Sequence, residues 1–352
     1  MSLGLVRALQ VIEKKSNDIV VTWTTFHNTH ESTVEYGVDY MNKRASGKAT
    51  VFKDGAYHAG SEYGWSELFF FHVPPQGTQW PVRAAIYGDM GNKNARSLSY
   101  LQDETERGNF DLILHVGDFA YNMHDDNGRR GDQFMRQIQP IAALVPYMTC
   151  PGNHEAFHNF SNYKARFSMP GTTEGMFYSF DLGPVHFVSI STEYYYFYKK
   201  YGTDPLYNQF HWLEKELAKA DKNRAEHPWI VLMGHRPMYC SNKDDVEDCS
   251  DELTRVGVPR IGLGLETMLK QYAVDLVIWA HEHSYERSWP LFNSTVYNGT
   301  KEEPYRNPRA PVHIITGSAG CQEDHDPFFM DLKGKVIDSF WLIKDKLSFN
   351  MP

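Results

Sequence analysis

The chain has 352 residues, 41% of them hydrophobic and 14% aromatic, which is enough apolar material for one large domain or a large domain with a small companion. A formal net charge of -9 with no block of Lys and Arg excludes general attraction to nucleic acid or an anionic membrane surface, so a phosphate-bearing substrate needs a local positive centre. No apolar run approaches the roughly 20 residues that cross a bilayer, and the opening "MSLGLVRALQVIEKK" is too short and too charged for the apolar part of an export signal.

Residues 1–80 carry β signals without helical periodicity. "DIVVTWTT" alternates around Trp23, "STVEYG" follows, and "ELFFFHVPP" ends at two prolines. This pattern predicts a small N-terminal β-sandwich, joined by the linker "PPQGTQWP" to a larger domain over 81–352.

From Val82 onward, short apolar runs alternate with amphipathic stretches. The runs are "VRAAIYGD", "DLILHVGD", "VPYMTCPGNHE", "PVHFVSIST", "PWIVLMGH", "VDLVIWAHEH" and "PVHIITGSAG". Candidate helices lie between several of them, in "NKNARSLSYLQDETERG", "GDQFMRQIQPIAALV", "YNQFHWLEKELAKA" and "GLETMLKQYA". Strands that read as continuous apolar runs are buried on both faces, so the alternation predicts an α/β layered domain. "EYYYFYKKYG" reads as a surface loop packed by its own rings, and His115, His186 and His313, each inside an apolar run, read as satisfied core histidines.

Several runs end, where a loop begins, in a residue able to bind a metal. These are Asp89, Asp118, Asn153 with His154, His235, and His281 with His283. A single Gly-Asp at a strand end is usually a turn, but α/β sheets gather strand-end loops into one crevice where ligands bind, and the recurrence points to such a crevice. The donors also sort by hardness: Asp and tyrosinate oxygens suit ferric iron, whereas imidazole and amide oxygen suit Zn, Fe(II) or Mn. Two unlike ions about 3.5–4 Å apart would serve phosphate ester hydrolysis.

The ordered set "GDM", "GDFAY", "GNHE", "GHRPMY" and "HEHSYER" resembles the purple acid phosphatases of the metallophosphoesterase superfamily, in an animal form similar to the high-molecular-weight plant type. The resemblance implies an α-β-β-α sandwich preceded by a fibronectin-like β-sandwich. It further implies that Asp89, Asp118, Tyr121 and His283 hold Fe(III), and that Asp118, Asn153, His235 and His281 hold a divalent ion (Fe, Zn or Mn), with Asp118 bridging. The two ions bring more positive charge than Asp89, Asp118 and a tyrosinate cancel, leaving a site of about +2 in an anionic protein. The implied activity is acid phosphatase: attack of metal-bound hydroxide on a small phosphate monoester, with His154 positioning phosphate or donating a proton to the leaving alcohol. Alternatives are a noncatalytic splice variant and a phosphodiesterase or nucleotidase of the same superfamily, against which Tyr121 argues.

The sequence departs from the family's pattern in three places. Plant relatives carry two adjacent histidines shortly after the position of His235, and "RPMYCSNKDDVEDCS" has none. Family stretches are skipped near Ala56 and after Phe328, which would leave the N-terminal sandwich incomplete and expose strand edges. The family is secreted or lysosomal, and the sequons at Asn159, Asn293 and Asn298 together with Cys240 and Cys249, which could close a small loop, agree with an oxidising compartment despite the missing export signal.

Overall fold

A computed structural model describes residues 9–12, 19–22, 32–38, 40–47, 69–71, 73–241, 252–300, 302–321, 323, 326 and 347–349. Over the first 80 residues these form two antiparallel hairpins, β1 (Leu9–Ile12) with β2 (Ile19–Thr22) and β3 (Thr33–Tyr36) with β4 (Lys43–Ser46). Two of the three expected strands are present. The third, "ELFFFHVPP", is not a strand in its described part: residues 69–71 and 73–75 are irregular, and Phe70 is 71% exposed. The apolar triplet lacks the alternation that would bury one face, and Pro74 and Pro75 offer no N–H to a ladder. Among the described residues the two hairpins share no sheet, and Val20 packs against the main core. The gap near Ala56, the segment after Phe328 and Cys249 lie outside the described residues.

Two sheets build the rest. In the first, β5 (Val82–Tyr87), β6 (Leu112–Val116) and β7 (Tyr147–Cys150) run parallel, and β18 (Leu347–Phe349) lines β5 antiparallel. The edge of β5 is therefore paired. The second sheet has the order β14-β17-β13-β10-β9-β8, with β8 (Tyr178–Leu182), β9 (Val185–Ser189), β10 (Trp229–Met233), β13 (Leu276–Trp279), β14 (Tyr285–Arg287) and β17 (Val312–Thr316). Its four central strands are parallel and β8 and β14 antiparallel. Two short ribbons complete the strands: β11 (Gly257–Val258) with β12 (Gly262–Leu263), and β15 (Leu291–Phe292) with β16 (Thr295–Val296).

The helices are α1 (Leu98–Glu106), α2 (Arg129–Ala142), α3 (Ser161–Arg166), α4 (Glu193–Tyr196), α5 (Tyr198–Tyr201), α6 (Asp204–Lys222), α7 (Leu253–Val256) and α8 (Glu266–Gln271). The four predicted helices appear as α1, α2, α6 and α8. In α2 the buried Phe134, Met135, Ile138, Ile141 and Ala142 recur at helical spacing and give the helix its core-facing stripe. None of the described helices is long and apolar enough to cross a membrane.

Strand periodicity decides the layers. Val231 and Met233 of β10 and Val185 and Phe187 of β9 join the core that holds Leu112, Leu114 and Tyr147 of the other sheet and the apolar stripe of α2. Their alternates Ile230, Leu232 and Val188, with Trp279 of β13, pack instead with Leu206, Leu213 and Leu217 of α6 and Met268 of α8. Each fully buried aliphatic side chain contributes about 1.5–3 kcal/mol, which only strands covered on both faces can collect twice per turn of the pleat.

The aromatic segment read as a loop forms α4 and α5. Tyr195 is fully buried, and its hydroxyl donates to Leu263 O at 2.7 Å, so one ring of the run serves the core.

Each core histidine has a partner at Nδ1, while Nε2 of His115 and of His186 is buried without a hydrogen bond among the described residues, so those two are satisfied only in part. His115 Nδ1 meets Tyr147 Oη at 2.7 Å, His186 Nδ1 meets Asp181 Oδ1 at 2.5 Å, and Trp279 Nε1 donates to His313 Nδ1 at 3.1 Å. Burial pushes the His313 pKa down to about 3, whereas an unfolded imidazole titrates near 6.5. Between those values the unfolded chain binds the extra proton, so the contribution of neutral His313 is present above about pH 6.5 and is lost as the pH falls toward 3. At pH 5 the loss is about 2 kcal/mol. We expect His313→Gln, which keeps an acceptor for Trp279, to lose less stability than wild type between pH 7.5 and 5 in urea unfolding; parallel losses would refute the assignment.

Candidate metal centre

The C-terminal ends of the parallel strands of both sheets meet. Gly88, after β5, donates its N–H to Thr316 O at the end of β17 (2.8 Å), and His235, after β10, gives Nδ1–H to Val116 O at the end of β6 (2.8 Å). Close approach requires the glycines that precede Asp89, Asp118, Asn153 and His235. A Cβ on Gly117 would overlap the His235 ring, and one on Gly152 would overlap the Asp118 carboxylate.

The ligand candidates themselves carry backbone strain. Asp89, Asp118, Tyr121 and His281 all adopt left-handed conformations, with φ of 57°, 50°, 49° and 69°. Such residues cost on the order of 1–3 kcal/mol each and persist only where surroundings hold them. Glu155 supplies part of that hold: its buried carboxylate accepts N–H groups of Asp118 (2.9 Å), Phe119 (3.2 Å) and Gly152 (2.9 Å), tying the loops after β6 and β7 together. Burial, and then the charge of Asp118, push the Glu155 pKa up to about 8.

All seven candidates converge in two adjoining groups. In one, Tyr121 Oη lies 2.9 Å from His283 Nε2 and 3.4 Å from Asp89 Oδ1, and His283 Nε2 lies 3.5 Å from Asp89 Oδ1. In the other, His235 Nε2 lies 3.0 Å from Asn153 Oδ1 and 3.3 Å from Asp118 Oδ2, and donor atoms of Asp118, His235 and His281 all fall within 4.8 Å of one another. The His281 N–H donates to Asp89 Oδ2 at 3.1 Å and links the groups. His154 sits just outside. Its N–H donates to Asp118 Oδ1 (3.1 Å), its Nδ1 meets Asn122 Oδ1 (3.0 Å), and its Nε2 is 3.9 Å from Asp118 Oδ2.

These donor sets fit metal ions. Neighbouring ligands on an ion with bonds of about 2.0–2.2 Å stand about 3 Å apart, which is the spacing seen in both groups. The electrostatics agree, because with protons alone to balance the carboxylates the crevice draws them onto its imidazoles. Burial opposes charge on His235, yet Asp118 beside it pushes its pKa up to about 10; burial also opposes charge on His283, and Asp89 pushes it up to about 12. Asp118, although burial works against its ionisation, is held well below the usual carboxylate range by His235 and His154. Burial, then the charges of Asp89 and Asp118, raise the Tyr121 phenol far above its ordinary value, so only a strongly charged cation would ionise it.

Other residues of the crevice had little sequence signal. Glu155, Asn122, Glu193 and Asp326, whose carboxylate accepts the His283 N–H, all flank the ligand candidates. Glu155 alone was legible in principle, as the acid two positions after Asn153 in one 3-10 turn.

A family model described as calcineurin-like phosphoesterase matches residues 82–285. The acid phosphatase type 7 of Danio rerio is 51% identical over 345 residues, covering 89% of this chain and 77% of its own length. The Homo sapiens protein of the same name is 50% identical over 338 residues, covering 88% and 76%. Purple acid phosphatase 22 of Arabidopsis thaliana is 29% identical over 336 residues, covering 86% and 69%. Among solved structures, the purple acid phosphatase PPD1 of yellow lupin seeds superposes with a TM-score of 0.65 at 21% identity, covering 92% of this chain and 66% of that one, a likeness of fold.

Proposed function

The chain belongs to the calcineurin-like phosphoesterase family as a purple acid phosphatase, and on that premise we propose that it hydrolyses small phosphate monoesters in the crevice at the strand ends. The family and fold imply a binuclear metal centre. Our reading gives Asp89, Asp118, Tyr121 and His283 to a ferric ion and Asp118, Asn153, His235 and His281 to a divalent one. The observation that carries it is the grouping of hard oxygen donors around Tyr121 beside the mixed donors around His235.

When bound, the ions supply Lewis acidity toward the phosphoryl group and acidify water. The residues do the rest. Asp118 turns Oδ2 toward His235 and accepts the His154 N–H at Oδ1, and we read it as the carboxylate that the two sites share. His235 commits its Nδ1 proton to Val116 O, which leaves Nε2 to face the crevice. His154, steadied by Asn122 and lying against the Tyr121 ring (4.5 Å), keeps Nε2 toward the site, where it hands a proton to the departing alcohol oxygen. In assays at acid pH, protein holding two ions per chain is expected to cleave p-nitrophenyl phosphate well ahead of bis-p-nitrophenyl phosphate. Preference for the diester would favour the phosphodiesterase reading, and a protein without ions or activity the noncatalytic one.

We also read Asn159, Asn293 and Asn298 as glycosylation sites and Cys240 with Cys249 as a pair, in a secreted or lysosomal protein. In support, all three asparagines are exposed, while Cys150 and Cys321 are buried and free. Mass spectrometry before and after glycan removal, on protein made through a secretory route, checks both; an unglycosylated product with four thiols would reject them.

A further inference from the structure

One border of α2 runs along the loops that carry Asp89 and Tyr121. Arg130, Gln133 and Gln137 recur at helical spacing beside the apolar stripe of that helix. Asn92, three residues after Asp89, donates Nδ2–H to Gln133 Oε1 (3.2 Å) and to Arg130 O (3.4 Å), and its carbonyl accepts from Gln137 Nε2 (2.7 Å). The start of the helix is itself pinned. Arg166 of α3 donates to Gly128 O (2.9 Å) and to Asp132 Oδ1 (2.8 Å), and a Cβ on Gly131 would overlap its guanidinium.

From this fixed turn Arg130 reaches back to the tyrosine. Its Nη1 donates to Tyr121 O at 3.0 Å and lies 3.2 Å from Asp125 Oδ2, so a carboxylate holds the guanidinium on a carbonyl. The Arg130 side chain is only 21% exposed, unlike a fully solvated surface ion pair of little weight. The intervening backbone closes over the same turn, with Asp125 N–H on Asn122 O (2.9 Å) and Gly131 N–H on Met123 O (3.1 Å).

Tyr121 requires such a hold. It and Asn122 are consecutive residues of positive φ, 49° and 71°, a conformation that side chains with a Cβ avoid. A rotation that relaxed this backbone would carry the ring with it and take Oη away from His283 Nε2 and Asp89 Oδ1. A charge-assisted hydrogen bond to the carbonyl resists that rotation.

We propose, resting on the reading of Tyr121 as a ferric ligand, that Arg130 is a positioning residue for the metal centre. It fixes the Tyr121 backbone so that the phenol oxygen stays beside His283 and Asp89. Through Asn92 the same helix steadies the loop that carries Asp89, so α2 serves the ferric half of the centre.

The test compares full-length proteins loaded with Fe(III) and Zn(II). Arg130→Met keeps the stem of the side chain and donates nothing. It is expected to shift the visible tyrosinate–iron band and to release iron to a chelator about 10- to 100-fold more readily, while zinc stays at the wild-type level; that is the range for losing a group that orients a metal ligand. Arg130→Lys, a cation able to reach the carbonyl, should recover part of the band position and of the iron retention. Asp125→Asn, which weakens the hold on the guanidinium without removing it, should move the band the same way by less, and it decides the matter where Arg130→Met does not fold. An unmoved band in these variants would overturn the proposal. Equal loss of both ions together with a lower melting temperature would do so too, since Arg130 would then support only the fold. Iron-loaded wild type without the band would sink the reading of Tyr121 instead, so the two failures are distinguishable.

Discussion

Asp118→Asn is expected to reduce phosphatase turnover by about 10³-fold or more and to lower the metal content below two ions per chain. On our reading Asp118 serves both donor groups; it lies 3.3 Å from His235 Nε2 and accepts the His154 N–H at 3.1 Å. Asparagine keeps the shape but removes the charge that offsets two cations and one of the two oxygens that can bridge them. Metal ions contribute several kcal/mol of transition-state stabilisation, so losing one ion accounts for the size of the effect. Metal analysis beside p-nitrophenyl phosphate turnover decides the matter. A variant with two ions and more than about a tenth of wild-type activity would remove Asp118 from the bridge.

The second large effect is spectroscopic. Metal-loaded wild-type protein is expected to be purple or pink, and Tyr121→Phe to be colourless, because the colour arises from charge transfer between a tyrosinate and ferric iron. The Tyr121 phenol is 2% exposed and, in the absence of a cation, raised well above its ordinary pKa by burial and by Asp89 and Asp118. Ionising it therefore takes a neighbour of high charge, and on our reading the two acidic residues that oppose ionisation would also hold that neighbour. Phenylalanine fills the same space, so fold stability should change little beyond the hydrogen bond to His283 (2.9 Å). A coloured Tyr121→Phe protein, or an iron-replete wild type without colour, would refute the assignment.

Much of the site and of the fold is legible in the amino-acid order because the signals are local. A glycine followed by a donor at the end of an apolar run describes the strand, the turn and the ligand together; Asp89, Asp118, Asn153 and His235 arise this way, His281 and His283 from the end of the apolar run "VDLVIWAHEH", and Tyr121 from the "GDFAY" resemblance. The helices α1, α2, α6 and α8 are equally local, written in apolar spacing. The "ELFFF" stretch misleads because a purely apolar run does not distinguish a strand from irregular chain. The aromatic segment after β9 misleads for the reverse reason: Tyr195 is a core residue only because α6 and the residues around Leu263 close over it.

By itself the sequence determined the α/β layering, the chemistry of the donors and the family to which the chain belongs, since each follows from residue type and short spacing. Only the tertiary structure decided which donors meet. Tyr121 and His283 are 162 positions apart, and His235 reaches Val116 across 119. Those encounters depend on the order of the strands, on the contact between the ends of the two sheets, and on glycines that allow it. The hold of Glu155 on three N–H groups and of Glu193 on Arg236 is of the same kind. A buried carboxylate takes whichever donors packing brings within reach, and no spacing in the chain announces them.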